Sequence, residues 1–76
     1  MGPDLYSLLG VNRVASYATI KQAYLRKAKE FHPDRNVGNK EIEEKFKLIN
    51  QAYAILSDPE QRQVFDEYGY EHVRYK

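Results

Sequence analysis

His32-Pro33-Asp34-Arg35-Asn36-Val37-Gly38-Asn39 interrupts two long helical patterns, and the fold follows from that interruption. Proline has no N–H to donate and biases the residue before it away from the α region. A helix arriving from the N-terminal side must therefore stop near Phe31 or His32. Gly38 and Asn39 supply turn chemistry and a cap for the helix that follows. A chain folded back on itself here presents His32 and Asp34 at an exposed tip.

Working outward, the residues before the tip read as an amphipathic helix from Tyr17 to Phe31. Ile20, Tyr24, Ala28 and Phe31 recur at about 100° per residue and form one stripe. Ser16 is the expected N-cap. The opposite face carries Lys21, Gln22, Arg26 and Lys29, with Leu25 standing among them. Lys27 falls on the flank of the stripe, where its stem can lie along apolar surface with the ammonium in water. After the tip, Lys40 to Leu56 has the strongest periodicity of the chain, with Ile42, Phe46, Ile49, Tyr53 and Leu56 on one face. Two such helices joined by a loop of about eight residues pack antiparallel. Leu48 and Ile55 lie off the stripe, and Ile55 is expected to meet the last helix.

The two ends complete the bundle. Asp4 caps a short helix whose apolar set is Leu5, Leu8 and Leu9, and Gly10 closes it. So short a helix has no stability of its own and must lean on the others. Val11 to Ala15 is a linker. Asp58-Pro59-Glu60-Gln61 opens a fourth helix: a capping Asp, Pro at the first helical position and an acid in the first turn. That helix buries Phe65 and runs to Tyr68, Gly69 ends it, and residues 70–76 read as a frayed tail. There is no strand pattern. The expected fold is all-α, a single domain over residues 1–76 in which an antiparallel hairpin of the second and third helices is flanked by short first and fourth helices.

Composition narrows the function. A chain of 76 residues buries only roughly 60% of its unfolded surface, so its core is small. Without cysteine there is no disulfide framework and no zinc–thiolate site, and two histidines make a poor metal site. No cofactor is implied. No apolar run is long enough to span a membrane. Gly2 does not make a myristoylation signal, because Tyr6 stands where that motif has Ser or Thr. The expected setting is soluble and intracellular, with cytosol or nucleus undecided.

Net charge is +1, but residues 1–40 carry seven Lys/Arg against three Asp/Glu, whereas residues 41–76 carry five against eight. A basic front half on a near-neutral chain suits an acidic protein surface, and the acidic second half argues against a nucleic-acid module. His32 and Asp34 are not an enzyme's acid–base pair, since no nucleophile or metal set accompanies them.

Several blocks together resemble a J domain: Asp4-Leu5-Tyr6-Ser7-Leu8-Leu9-Gly10-Val11, Ile20-Lys21-Gln22-Ala23-Tyr24 and Phe31-His32-Pro33-Asp34-Arg35-Asn36. So do Ile49-Asn50-Gln51-Ala52-Tyr53, Leu56-Ser57-Asp58-Pro59, Arg62 and Phe65-Asp66-Glu67-Tyr68-Gly69. The resemblance covers residues 4–69 and implies a monomeric co-chaperone domain that is not itself an enzyme. Such domains dock on the ATP-bound form of the seventy-kilodalton heat-shock chaperone and stimulate its ATP hydrolysis, with no nucleic acid or membrane involved. It assigns partner contact to His32, Pro33 and Asp34 and to the basic face of the second helix, here Lys21, Arg26 and Lys29 with Tyr24 beside them. Arg35 and Asn36 are expected to join the contact from the loop, and Leu25, either a lone exposed apolar residue or a partner contact, is read as the latter. Arg62 is expected to brace the tip. Many members of the family have a basic residue where Leu25 stands and an apolar one where Lys27 stands, so this chain lacks one charge on that face. Client binding is not implied for these residues.

Overall fold

Asp4 starts the first helix as its sequence position requires. In extended backbone, its carboxylate accepts the Tyr6 N–H at 3.1 Å and the Ser7 hydroxyl at 3.0 Å. Gly10, at φ +71°, turns the chain out of α1 (Leu5–Leu9) and returns its N–H to the Ser7 carbonyl. That left-handed conformation carries a Cβ penalty of about 1–2 kcal/mol for other residues. The computed structural model describes residues 3–74, so Met1 and Gly2, the latter weighed above as a myristoylation site, and the last two residues lie outside it. Three longer helices follow: α2 (Tyr17–Glu30), α3 (Lys40–Leu56) and α4 (Pro59–Tyr68), with a 3₁₀ turn at Tyr70–His72 and no strand among the described residues.

Each helix begins on a side chain that satisfies backbone donors left over at its first turn. Ser16 Oγ accepts the Thr19 N–H, Asn39 Oδ1 the Ile42 N–H, and Asp58 Oδ1 the N–H groups of Glu60 and Gln61. Pairings along the hairpin show its direction: Tyr24 meets Asn50 and Tyr53, whereas Phe31 and His32 meet Lys45 and Phe46. Residue numbers rise on α2 as they fall on α3, so the two helices are antiparallel.

The core is Leu5, Tyr6, Leu9, Ile20, Ala23, Ile49, Ala52, Ile55, Leu56 and Phe65. α3 is its centre, because α1, α2 and α4 all pack against it. A helix covered by three neighbours needs an apolar face wider than one stripe, which is why Ala52 and Ile55 are fully buried beside Ile49 and Leu56. Ile42, Phe46 and Tyr53 are only half-buried, as are Tyr24 and Ala28 on α2 and Phe31 at its C-terminal end. The hairpin thus runs out beyond the core toward the loop, in a molecule with extents of 37 × 24 × 17 Å. Leu48 is solvent-facing.

Two expectations are revised. Tyr6, not Leu8, is the second buried side chain of α1, and Leu8 is half-buried. Tyr6 goes inside because its hydroxyl has partners there: it donates to Asp66 Oδ1 at 2.6 Å and accepts from Arg62 Nε at 3.1 Å, both on α4. A buried phenol with its hydroxyl paired contributes a large apolar area at little polar cost. Nor does the chain fray directly after Gly69. Tyr70 and Val73 pack against the core, and the Arg74 N–H donates to Gln61 Oε1.

Candidate functional site

α2 ends as proline demands. Phe31 gives the last helical N–H, to Lys27, and leaves the helix at φ −103°, ψ 15°. Two successive turns follow, with Arg35 N–H bonded to the His32 carbonyl and Asn36 N–H to the Pro33 carbonyl. The Asn36 side chain then reaches back, donating from Nδ2 to the carbonyls of Glu30 at 3.2 Å and His32 at 3.0 Å. Gly38 at φ +81° redirects the chain into the Asn39 cap of α3. The corner is therefore a built turn, not an extension of either helix.

His32 and Asp34 differ in how far they stand out of that turn. The imidazole packs edge-on against Phe46 of α3, with ring centroids 5.6 Å apart and planes at 69°. Its Nδ1 accepts the Asp34 backbone N–H at 3.1 Å. A nitrogen that accepts carries no proton, so the neutral ring holds its hydrogen on Nε2. The 3.7 Å separation between the same Nδ1 and Asp34 Oδ2 is accordingly no ion pair while the ring is neutral. The Asp34 side chain is 91% exposed against 48% for His32. The carboxylate stands in water while the imidazole steadies the backbone behind it.

Cations flank this corner. Arg26, Lys29 and Arg35, with Glu30 and Asn36, line a shallow concavity of about 350 Å³. Lys21 lies on the same helix eight residues before Lys29, about 12 Å away at the helical rise. Leu25 is 54% exposed between them. Tyr24 is different: its ring stacks on Tyr53 at 4.2 Å and its hydroxyl donates to Asn50 Oδ1 at 2.7 Å. It faces the seam of the hairpin, and its polar end is already engaged. In the sequence Asn50 stands only as part of the block at residues 49–53, with no role assigned; an Asn beside a core stripe is the one local sign of a half-buried hydroxyl opposite it. Lys27 is half-buried with its ammonium 5.8 Å from the Phe31 ring centroid, where Lys45 sits at 5.3 Å from the other helix.

Arg62 does not brace the tip. Its Nη2 donates to the carbonyls of Ala15 at 2.7 Å and Arg13 at 3.2 Å, and its guanidinium lies 4.9 Å from the Tyr17 ring centroid. It ties α4 to the linker before α2, at the end of the hairpin away from His32. Burial raises the Tyr6 phenol above its ordinary pKa, and the hydrogen bond to Asp66 adds to that. Burial pulls the Arg62 guanidinium down, but hydrogen bonds and charge from Tyr6 and Tyr17 outweigh it and its pKa is raised. Among the described residues no group of three or more His, Cys, Asp or Glu is placed to hold a metal, and no helix is long and apolar enough to cross a membrane.

Comparison with known proteins supplies the family. The family model for the DnaJ domain matches residues 4–66. The chain belongs to the DnaJ domain family. Its J domain is 58% identical over 67 residues to Chaperone protein DnaJ of Caldicellulosiruptor bescii, covering 88% of this chain and 17% of that one. It is 59% identical over 68 residues to Chaperone protein DnaJ of Wolbachia sp. subsp. Brugia malayi, covering 90% and 18%. The chain thus spans less than a fifth of the length of these curated relatives. Among solved structures, the J-Trx1 fragment of ERdj5 superposes with a TM-score of 0.87 at 37% identity, over 99% of this J domain and 39% of that chain.

Proposed function

We propose that this J domain docks on the ATP-bound form of a seventy-kilodalton heat-shock chaperone and accelerates its ATP hydrolysis, acting as a co-chaperone and not as an enzyme. The observation that carries this reading is the Asp34 carboxylate, 91% exposed on a loop fastened from both sides. Such a group can accept two parallel hydrogen bonds from a partner arginine, the strongest and most directional pairing open to a carboxylate. Because the turn is already formed, little ordering cost is left for the moment of binding. Pro33 is solvent-exposed at the apex beside it.

The cationic residues have a separate task. Arg26, Lys29 and Arg35 beside the corner, with Lys21 further along, outweigh the one acid among them, Glu30, and leave that side of the hairpin positive. A field of that kind speeds encounter with an acidic groove and fixes its register more than it tightens the final complex. Leu25 sits where a dry apolar contact would be ringed by charge, the usual anatomy of a small interface. The bonds of ATP are broken by groups of the partner. This domain biases the partner toward its hydrolysing conformation by contacting that conformation better than the resting one.

Single-turnover hydrolysis of ATP preloaded on a purified seventy-kilodalton chaperone, with and without the 76-residue chain, tests the proposal. Acceleration that saturates with domain concentration is the expected result, and an unchanged rate refutes it.

A further inference from the structure

We propose that Asn36 is the positioning residue of the corner, and that it acts by holding the loop closed and not by touching the partner. The inference rests on the docking reading above for its functional half. Asn36 makes four hydrogen bonds within the loop: its N–H to the Pro33 carbonyl, its carbonyl from the Asn39 N–H, and Nδ2 to the carbonyls of Glu30 and His32. It is half-buried where Arg35 and Val37 on either side are exposed.

Donor counting separates the two possible roles. A side-chain amide has two N–H groups, and here they are directed at Glu30 and His32. The last carbonyls of any helix lack intrahelical donors, and Glu30 is the final residue of α2. Asn36 therefore joins the end of α2 to His32 with a single planar group. The backbone turns alone bond Arg35 to His32 and Asn36 to Pro33, and among the described residues no other side-chain hydrogen bond joins α2 to the loop. His32 depends on this bridge in turn, because its carbonyl is one anchor while its ring, on Phe46, holds the Asp34 amide. Release Asn36, and the Asp34 carboxylate loses its fixed direction although no group that meets the partner has been removed.

Two variants of the 76-residue chain test the assignment. Asn36→Ala removes the bridge, and Asn36→Asp keeps the shape while removing both donors. In the free chain, ¹⁵N order parameters at the amides of His32, Asp34, Arg35 and Asn36 are expected to fall from about 0.85 to below about 0.6 in both variants, with helix amides nearly unchanged and the melting temperature lowered by about 4–8 °C as the loss of two exposed hydrogen bonds requires. In single-turnover ATP hydrolysis, Asn36→Ala is expected to raise the half-saturating domain concentration about tenfold with the maximal rate preserved, as a smaller binding-competent fraction requires. Order parameters equal to wild type in both variants overturn the proposal. So does a loosened loop with an unchanged half-saturating concentration. If the wild-type chain itself fails to stimulate, the docking reading falls, and the free-chain measurement still decides whether Asn36 sets the loop.

Discussion

Replacing Arg62 by methionine separates the stability of this domain from its docking corner. The methionine stem keeps most of the apolar contact but has no donors. The change deletes the hydrogen bonds to Ala15 O at 2.7 Å, Arg13 O at 3.2 Å and Tyr6 Oη at 3.1 Å, and the stacking over Tyr17. Arg13 is exposed and Ala15 half-buried, so water replaces part of what those carbonyls lose. Tyr6 keeps Asp66 as an acceptor. Discounting each bond to the low end of its usual worth leaves a net loss of about 2 kcal/mol. For a domain of this size each kcal/mol moves the midpoint by about 4–8 °C, so thermal unfolding followed by far-ultraviolet circular dichroism should shift down by about 8–16 °C. The urea m-value should stay constant, since the surface exposed on unfolding is unchanged. Arg62 meets the linker before α2 (Tyr17–Glu30), whereas the corner lies at its other end, about 20 Å away along the helix. Below its new midpoint the variant should therefore stimulate ATP hydrolysis as wild type does. A midpoint within about 2 °C of wild type refutes the energetic reasoning. A folded variant that fails to stimulate refutes the spatial separation and returns Arg62 to the tip.

Three further outcomes are expected. His32→Gln removes the ring that packs on Phe46 and accepts the Asp34 amide. It should abolish stimulation while leaving helicity unchanged and the midpoint within a few degrees, as single-turnover kinetics and a thermal scan on the same sample will show. Leu25→Lys adds a charge to an exposed position between Lys21 and Lys29. It should tighten docking about threefold at low ionic strength, with the gain lost at about 1 M salt where the Debye length is near 3 Å; affinity that is flat or lower at low salt counts against the reading of that face. Tyr6 has its pKa raised above 10.0 by burial and by Asp66. Between the unfolded and folded pKa values only the unfolded chain releases this proton, so stability is intact below pH 10 and falls as pH rises through that window. Tyr6→Phe should be less stable at neutral pH yet lack this part of the alkaline loss, and equal alkaline slopes in denaturant titrations would contradict the assignment.

Much of the architecture was legible in the residues because its signals are local. A cap acts within three residues, so Asp4, Ser16, Asn39 and Asp58 each start a helix in the way their side chains allow. Pro33 stops α2 by its own ring, and the exposure of Asp34 follows from standing on a turn between two long helices. The family resemblance rests on these same blocks.

What the sequence could not decide is which neighbour each helix face would meet. A period of 3.6 residues says that Ile42, Phe46, Ile49, Tyr53 and Leu56 share a side; it does not say that α3 (Lys40–Leu56) would be covered by three helices, which buries Ala52 and Ile55 more deeply than Phe46. Tyr6 needed a hydroxyl partner sixty residues away, Arg62 found carbonyls 47 and 49 residues back, and Tyr24 turned to Asn50 across the hairpin. Local order is written by groups that bond near neighbours in the chain. The packing of polar tips is set only when the helices meet, because a buried hydroxyl or guanidinium takes whichever acceptor the assembled bundle brings within reach.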